Sequence, residues 1–346
     1  MAEKFKNKNI LIFGSGSIGN HMTKASRELG FNVYVTDKSA KALERMKYNI
    51  YPKRYKKWDK NINLVNYKNV FKFKKKFDLI IIGTPPTTHL VIYYLCKKKL
   101  KYGKILIEKP LTNYSNKLLR KFSKEKNNQN IFCGYNHSVS KSFIYFFKKL
   151  NKYKKINQID VCWKENWDGI LKAHFWLKNE FSSYLGDIKN GGGALQEHSH
   201  GLHLLSLILK NKNISLVNCD FTKKGIFLKK KYDLFFSITG IKNKIFFNYQ
   251  TDLLTKPANK SIKISDGENE IYLIFNYALN KDAVIIHKNG IQISKKIFKK
   301  SRTSEFKNEI KYILNYKNDL KNNSNLSINN SIDLIKIIKR AFNEKK

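Results

Sequence analysis

The amino-acid sequence predicts an α/β protein with two parts: a doubly wound parallel sheet, then an α/β domain with an antiparallel or mixed sheet. Three observations predict it. Up to about residue 135, strands that are apolar throughout alternate with helical segments, the pattern of a parallel sheet covered on both faces. A glycine-rich turn, Gly14-Ser-Gly-Ser-Ile-Gly19, joins the first strand to the first helix. Beyond Tyr135, strands follow one another with short turns between them, as in an antiparallel or mixed sheet.

The elements follow in order. Asn9 to Phe13 is the first strand, and the helix after the glycine turn runs from Ile18 to Leu29, where Gly30 supplies a left-handed stop. Phe31 to Thr36 is β-branched and aromatic, as buried strands are, and ends at Asp37. Ser39 is placed to cap a helix carrying Leu43 and Met46. Asp78 to Ile82 and Lys104 to Ile107 are further apolar strands separated by a helix through Cys96, and Ile131 to Cys133 begins another. A helix (Val139 to Leu150) and a strand (Ile156 to Trp163) open the second part, followed by an irregular aromatic stretch from Asn166 to Asp187. A glycine-opened helix is predicted from Gly191 to about Leu209. Strands are predicted at 215–222, 234–239, 244–249, 261–265, 270–275 and 283–287. Helices at 304–314 and from Ile332 to Phe342 close the chain, the latter with Ile332, Ile335, Ile338 and Phe342 on one face, and an Asn-rich loop (317–330) lies between them. The expected domains are therefore 1–135 and 136–346, with the final helices able to pack back on the first.

Composition excludes several classes. With 42% hydrophobic and 13% aromatic residues, the chain has ample material for packed cores. No apolar run approaches the roughly 18–20 residues that cross a bilayer, so no membrane association is expected. The N-terminal segment enters the first strand without a signal-peptide apolar stretch. Cys96, Cys133, Cys162 and Cys219 stand far apart with no C-x-x-C pair, so a reduced, cytoplasmic protein is expected. The formal net charge is +42, yet only 6 of the 68 basic residues are Arg, and the lysines run the whole length of the chain. Arg is the residue that reads bases bidentately, so the charge reads as a solvated Lys bias and not as specific nucleic-acid recognition.

Gly14, Gly16 and Gly19 form G-x-G-x-x-G between strand and helix, the arrangement in which a dinucleotide pyrophosphate approaches the backbone at Ser17 and Ile18 and meets the helix N-terminus. Asp37, at the end of the second strand, stands where an acid accepts the adenosine ribose hydroxyls. That acid would repel a 2′-phosphate, which favours NAD, while the neighbouring Lys38 leaves NADP open. A second constellation combines Gly83-Thr-Pro-Pro-Thr-Thr-His89 with Glu108-Lys-Pro110, each after a parallel strand and hence at the ligand crevice. A lysine there can hold a substrate hydroxyl or share in its proton transfer. The third is Gly191-Gly-Gly-Ala-Leu-Gln-Glu-His-Ser-His-Gly-Leu-His203. On a continuous helix Glu197, His200 and His203 share one face and His198 turns away from its centre. Such a group serves acid–base chemistry or binds a divalent metal.

With the glycine loop, Thr84-Pro85 with His89, Glu108-Lys109-Pro110, Gly134-Tyr135-Asn136, the Gly191-Gly192-Gly193 helix start and Phe306-Lys-Asn-Glu309, the chain resembles the Gfo/Idh/MocA family of NAD(P)-dependent oxidoreductases over nearly its whole length. The resemblance implies a Rossmann domain, a substrate-binding and oligomerisation domain with a large, mainly antiparallel open sheet, and a homodimer or tetramer. It makes Lys109 a catalytic residue that also touches substrate, puts Glu197 where the family usually has Asp, matches His200 to its catalytic histidine, and sets Asn136 near cofactor or substrate. Thr84, Pro85, His89 and Glu108 join the glycine loop, Asp37 and Lys38 as cofactor contacts. The acid–histidine spacing of three, where many members have four, resembles a subgroup associated with surface-sugar biosynthesis. By the same resemblance His174, Trp176, Tyr184 and His203, the last replacing an acid common in that subgroup, line a sugar pocket. Ser138 replaces an Arg common in the family.

The expected function is NAD(P)-dependent hydride transfer to or from a secondary alcohol or ketone of a sugar, nucleotide sugar or cyclic polyol, with no bound metal. The alternatives are an inactive NAD-binding sensor of the same fold and a metal-dependent enzyme using Glu197, His200 and His203.

Overall fold

The computed structural model describes residues 5–150, 153, 155–211, 220–228, 231–317 and 324–343. Residues 215–219 of the strand predicted at 215–222, Cys219 among them, and residues 318–323 of the Asn-rich loop lie outside them. The chain divides into two compact units. One holds residues 1–112, 116–136 and 302–329; the other holds 113–115, 137–301 and 330–346.

The first unit is built on six parallel strands: β1 (Asn9–Phe13), β2 (Asn32–Asp37), β3 (Ile62–Asn66), β4 (Lys76–Ile82), β5 (Lys101–Glu108) and β6 (Ile131–Gly134). Their order is β3-β2-β1-β4-β5-β6, in which the direction of winding reverses between β1 and β4. The helices are α1 (Ser17–Glu28), α2 (Ala40–Arg45), α3 (Tyr51–Tyr55), α4 (Tyr67–Val70), α5 (His89–Lys99) and α6 (Leu119–Phe122). Ile10 to Phe13, Leu79 to Ile82 and Ile105 to Ile107 have no exposed surface, as central strands covered on both faces require. The helix stop at Gly30 (φ +93°) and the cap on α2, where Ser39 Oγ accepts from the Ala42 N–H, match the sequence reading. Strand β3 and α4 are additions to it. As an edge strand, Ile-Asn-Leu-Val-Asn is largely open to solvent and lacks the apolar run that marks the central strands.

The second unit contains α7 (Lys141–Leu150), α8 (Trp167–Ala173), α9 (Ala194–Glu197) and α10 (Ser199–Asn211). Its sheet has eight strands: β7 (Gln158–Lys164), β8 (Asp220–Leu228), β9 (Tyr232–Lys242), β10 (Ile245–Asp252), β11 (Asn259–Ser265), β12 (Asn269–Ala278), β13 (Lys281–Lys288) and β14 (Ile291–Lys299). The order is β14-β13-β12-β11-β7-β10-β9-β8, antiparallel except for the β7–β10 pair. Alternation along β7 turns Ile159, Val161 and Trp163 inward, and α10 packs against β7 and β10 while α7 packs against β12 to β14. Helix α8 falls inside the stretch read as irregular. Asn166 caps it by accepting from the Gly169 N–H.

Two helices close the chain, α11 (Arg302–Asn315) and α12 (Ile328–Asn343). Within the first unit α11 lies on α1, with the Phe306 ring stacked on His21 at 5.4 Å. Among the described residues no helix is long and apolar enough to cross a membrane.

Candidate functional site

In the first unit the glycine loop sits at the carboxyl ends of β1 and β4. Each glycine of the motif answers a different demand. A Cβ at Gly19 would fall 1.9 Å from the Gly14 carbonyl oxygen, and one at Gly14 would fall 2.6 Å from the Gly83 carbonyl oxygen. Those two are glycines because backbone lies against them. A Cβ at Gly16 would meet no heavy atom within 4 Å. Nothing among the described residues requires a glycine there, whereas an incoming phosphate would. Gly16 is also the N-cap of α1, without a side-chain cap and with no acid in the first turn, so the first amides and the positive end of the helix dipole remain for an anion.

Around this cradle, Asp37 Oδ2 accepts from the Ser15 N–H and hydroxyl, both at 2.9 Å, and Oδ1 accepts from the Ser39 N–H at 3.0 Å. The carboxylate is thereby fixed at the end of β2. Lys38 beside it is exposed and lies over the Tyr67 ring. Arg54, which the sequence reading passed over, donates to the Ser17 carbonyl at 3.1 Å and to the Ser17 hydroxyl at 3.0 Å. It brings a guanidinium to the first turn of α1. Its one signal in the sequence is that it is one of only 6 Arg among 68 basic residues. The loop residues present therefore fit a dinucleotide pyrophosphate: an open glycine, uncapped amides and a cation.

The second constellation is held together by His89, which has no exposed surface. Its Nε2 lies 2.6 Å from the Thr84 carbonyl, and its Nδ1 lies 3.1 and 3.2 Å from those of Pro110 and Leu111. Burial pushes the imidazole down to about 4 against the pull of these carbonyls. Expected as a cofactor contact, His89 is instead a tie between the Thr84-Pro85 and Lys109-Pro110 loops, because a side chain without accessible surface cannot touch a ligand. Glu108 is almost fully buried against Gly134, where a Cβ would fall 2.8 Å from its carboxyl group. It also accepts from the Lys109 N–H at 3.3 Å, while the Lys109 side chain remains partly exposed. Glu309 of α11 joins it: fully buried, both oxygens without a hydrogen-bond partner among the described residues. Burial, and then the charge of Glu108, pushes the Glu309 carboxyl well above the ordinary range. Asn136 is buried in the turn after β6.

In the second unit the predicted helix from Gly191 to Leu209 is two helices. Chain bends at His198 (φ −92°, ψ 18°), the C-cap of α9, before α10 begins. The Tyr249 hydroxyl donates to the His198 carbonyl at 3.0 Å, and the Gly201 N–H donates to the same oxygen at 3.3 Å. The common face expected for Glu197, His200 and His203 is consequently broken. His203 has no exposed surface and packs into the core, so the expected sugar contact is lost. Among the described residues no three His, Cys, Asp or Glu side chains gather as a metal ion would require.

Glu197 and His200 are both partly exposed. The His200 ring meets His137 edge-to-face at 4.7 Å and lies 5.7 Å from Trp163, and His137 in turn sits 5.0 Å from Phe275. His198 is buried with Nε2 3.9 Å from Glu165 Oε2, which also accepts from Lys260 Nζ at 2.7 Å. His137, Glu165 and Lys260 were not singled out in the sequence, although His137 directly follows Gly134-Tyr-Asn136. Gly201 accounts for the unusual spacing. A Cβ there would fall 2.8 Å from the Tyr249 ring and 2.9 Å from Trp163 Cβ. The position four residues after Glu197 thus points into the sheet and has no room for an imidazole; the position three residues after it does. His174, Trp176 and Tyr184 are partly exposed around α8 and the turns that follow, with the His174 and Trp176 rings 5.4 Å apart.

No protein-family model matches the chain, and no curated protein matches it. Solved structures match over nearly its full length. KijD10, a 3-ketoreductase from Actinomadura kijaniata in complex with NADP and TDP-benzene, superposes with a TM-score of 0.72 at 10% identity, covering 97% of each chain. The UDP-N-acetylglucosamine 3-dehydrogenase GnnA from Acidithiobacillus ferrooxidans gives 0.66 at 11% identity over 96% of each chain. The putative oxidoreductase YvaA from Bacillus subtilis gives 0.64 at 12% over 96% of each. The chain shares their fold: a Rossmann-type parallel sheet followed by a second, mainly antiparallel sheet.

Proposed function

We propose that this protein is an NAD(P)-dependent oxidoreductase of the Gfo/Idh/MocA type, acting on a secondary alcohol or ketone of a sugar or nucleotide sugar. One observation carries the reading. Gly16 faces open space at an uncapped helix N-terminus while its two companion glycines are packed against backbone. Three neighbours of the same fold described as sugar-nucleotide enzymes or oxidoreductases support it. Asp37 would repel a 2′-phosphate, so NAD is the preferred form, with NADP the weaker ligand despite the exposed Lys38.

The bound nicotinamide supplies or accepts the hydride. The chain's own residues do the rest. Gly14 to Gly19 and Arg54 hold the phosphates, and Asp37 holds the ribose. In the oxidative direction the Lys109 ammonium stabilises the alkoxide that develops as the carbon-bound hydrogen departs with its electron pair. His200 takes the hydroxyl proton, and Glu197 orients it. Asn136, His174, Trp176 and Tyr184 supply polar and stacking contacts for the sugar. Ile241, Phe246, Ile291 and Ile293, exposed on the large sheet, offer the apolar surface for a homodimer or tetramer.

The test is a fluorescence titration with NADH and NADPH followed by a panel of nucleotide sugars and their keto forms, monitored by nicotinamide absorbance. Micromolar NADH binding with turnover of at least one nucleotide-linked sugar is expected. Absence of binding to either dinucleotide would end the proposal.

A further inference from the structure

Asp233, the second residue of β9, is a charged-type side chain with no exposed surface. Its Oδ2 accepts from the Leu195 N–H at 2.6 Å, at the start of α9. Its Oδ1 has no hydrogen-bond partner among the described residues. Gly193, next to that start, has φ +87°, and a Cβ there would fall 2.1 Å from Oδ1. The carboxyl group fills the volume that a side chain at Gly193 would take, and it holds an amide in the first turn of the helix. Other contacts converge on the same turn. The Gly193 N–H donates to the Leu185 carbonyl at 3.0 Å, and Gln196 Nε2 donates to the Ile188 carbonyl at 2.8 Å. Burying an incompletely paired carboxyl beneath a backbone turn costs free energy where a buried apolar side chain would contribute it, so the position is held for its geometry. Leu195 lies two residues before Glu197 and five before His200.

We infer that Asp233 is a positioning residue that sets where α9 begins and so aims Glu197 and His200, acting through the Gly193–Leu195 turn. This rests on the proposed reading, in which those two side chains handle the substrate proton. Burial pushes the Asp233 carboxyl to about 7, and the uncharged form has the shape of Asn. Asn is therefore the conservative replacement: it keeps an oxygen for the Leu195 N–H.

The experiment compares full-length wild type, Asp233→Ala and Asp233→Asn by kcat, KM, NADH affinity and NMR of ¹³C-labelled imidazole rings, with the His200 signal assigned through His200→Gln. Misaiming a proton-transfer group by about 1 Å costs on the order of 100-fold in rate. Asp233→Ala should lower kcat by about 30- to 100-fold, leave NADH affinity within about twofold, and move the His200 signal. Asp233→Asn should return kcat to within about threefold of wild type and leave that signal in place. If Asp233→Ala does not fold, Asp233→Ser takes its place, its single oxygen one bond short of the Leu195 N–H. Equal kcat in all variants, an unmoved His200 signal, or equal damage from Ala and Asn would overturn the inference. If no substrate is turned over but NADH binds, the reaction assigned above fails alone, and the ring signals still decide the role of Asp233.

Discussion

The glycine loop yields a prediction in which fold and ligand separate. Gly16 has φ −76°, which alanine adopts freely, and its added methyl carbon would meet no heavy atom of the described residues within 4 Å. As an N-cap, Gly16→Ala loses roughly 0.5–1 kcal/mol of helix stability. Reduced freedom of the unfolded chain offsets about 0.4–1 kcal/mol of that. The net change stays within about 1 kcal/mol, a shift in Tm of some 2–4 °C at most. The cofactor suffers more. A methyl group in the phosphate's path displaces it from an amide whose charge-assisted hydrogen bond is worth about 1.5–3 kcal/mol, so NADH should bind about 10- to 100-fold more weakly. Gly19→Ala is the control with the opposite signature. Its Cβ would fall 1.9 Å from the Gly14 carbonyl oxygen, a backbone atom that cannot swing aside, so stability should fall by about 3 kcal/mol or more. Thermal unfolding paired with NADH fluorescence titration reads both variants. Wild-type NADH affinity in Gly16→Ala, or a stability loss as large as that of Gly19→Ala, would refute the reasoning.

Three further outcomes follow from the first unit. Lys109→Ala should lower kcat by about 100-fold or more with NADH affinity little changed, since the ammonium meets charge that develops only during reaction; stopped-flow turnover and titration check it. Arg54→Met removes the guanidinium beside Ser17 and should weaken NADH binding by about 3- to 10-fold, with a shallower dependence on salt measured in the same titration. Glu309 titrates higher folded than unfolded, so the stability it contributes is full below its unfolded pKa of about 4.5 and is lost as pH rises through the folded value. Glu309→Gln removes that loss. Denaturant unfolding should find the variant equal to or less stable than wild type in acid and more stable at neutral and alkaline pH; parallel pH curves for the two proteins would contradict the assignment.

What could be read from the sequence was local. The apolar strands of the first unit and the G-x-G-x-x-G turn are legible because a buried parallel strand and a tight strand-to-helix turn each leave a contiguous mark. The acid and histidines after Gly193 were equally visible as residue types. Their geometry was not, because the chain bends at His198, where the Tyr249 hydroxyl, 51 residues away, donates to the carbonyl. His89 and His203 looked like ligand contacts for the same reason: a histidine in a motif carries no sign of whether its ring faces a ligand or the core. Arg54 and Asp233 went unseen, and Glu309 was visible only as the end of the Phe306-Lys-Asn-Glu309 motif, because each gains its meaning from a partner distant in sequence, at Ser17, Leu195 and Glu108 respectively. Gly201 shows the reverse case. Its spacing looked like a departure from the family pattern, and the Trp163 and Tyr249 side chains explain it.

The most direct measurement uses NADH deuterated at nicotinamide C4 with a keto nucleotide sugar, and mass spectrometry of the reduced product. The account predicts a single deuterium on the new carbinol carbon with wild type and almost none with Lys109→Ala. Tight NADH binding without any transfer of the label, across substrates of this class, would contradict it.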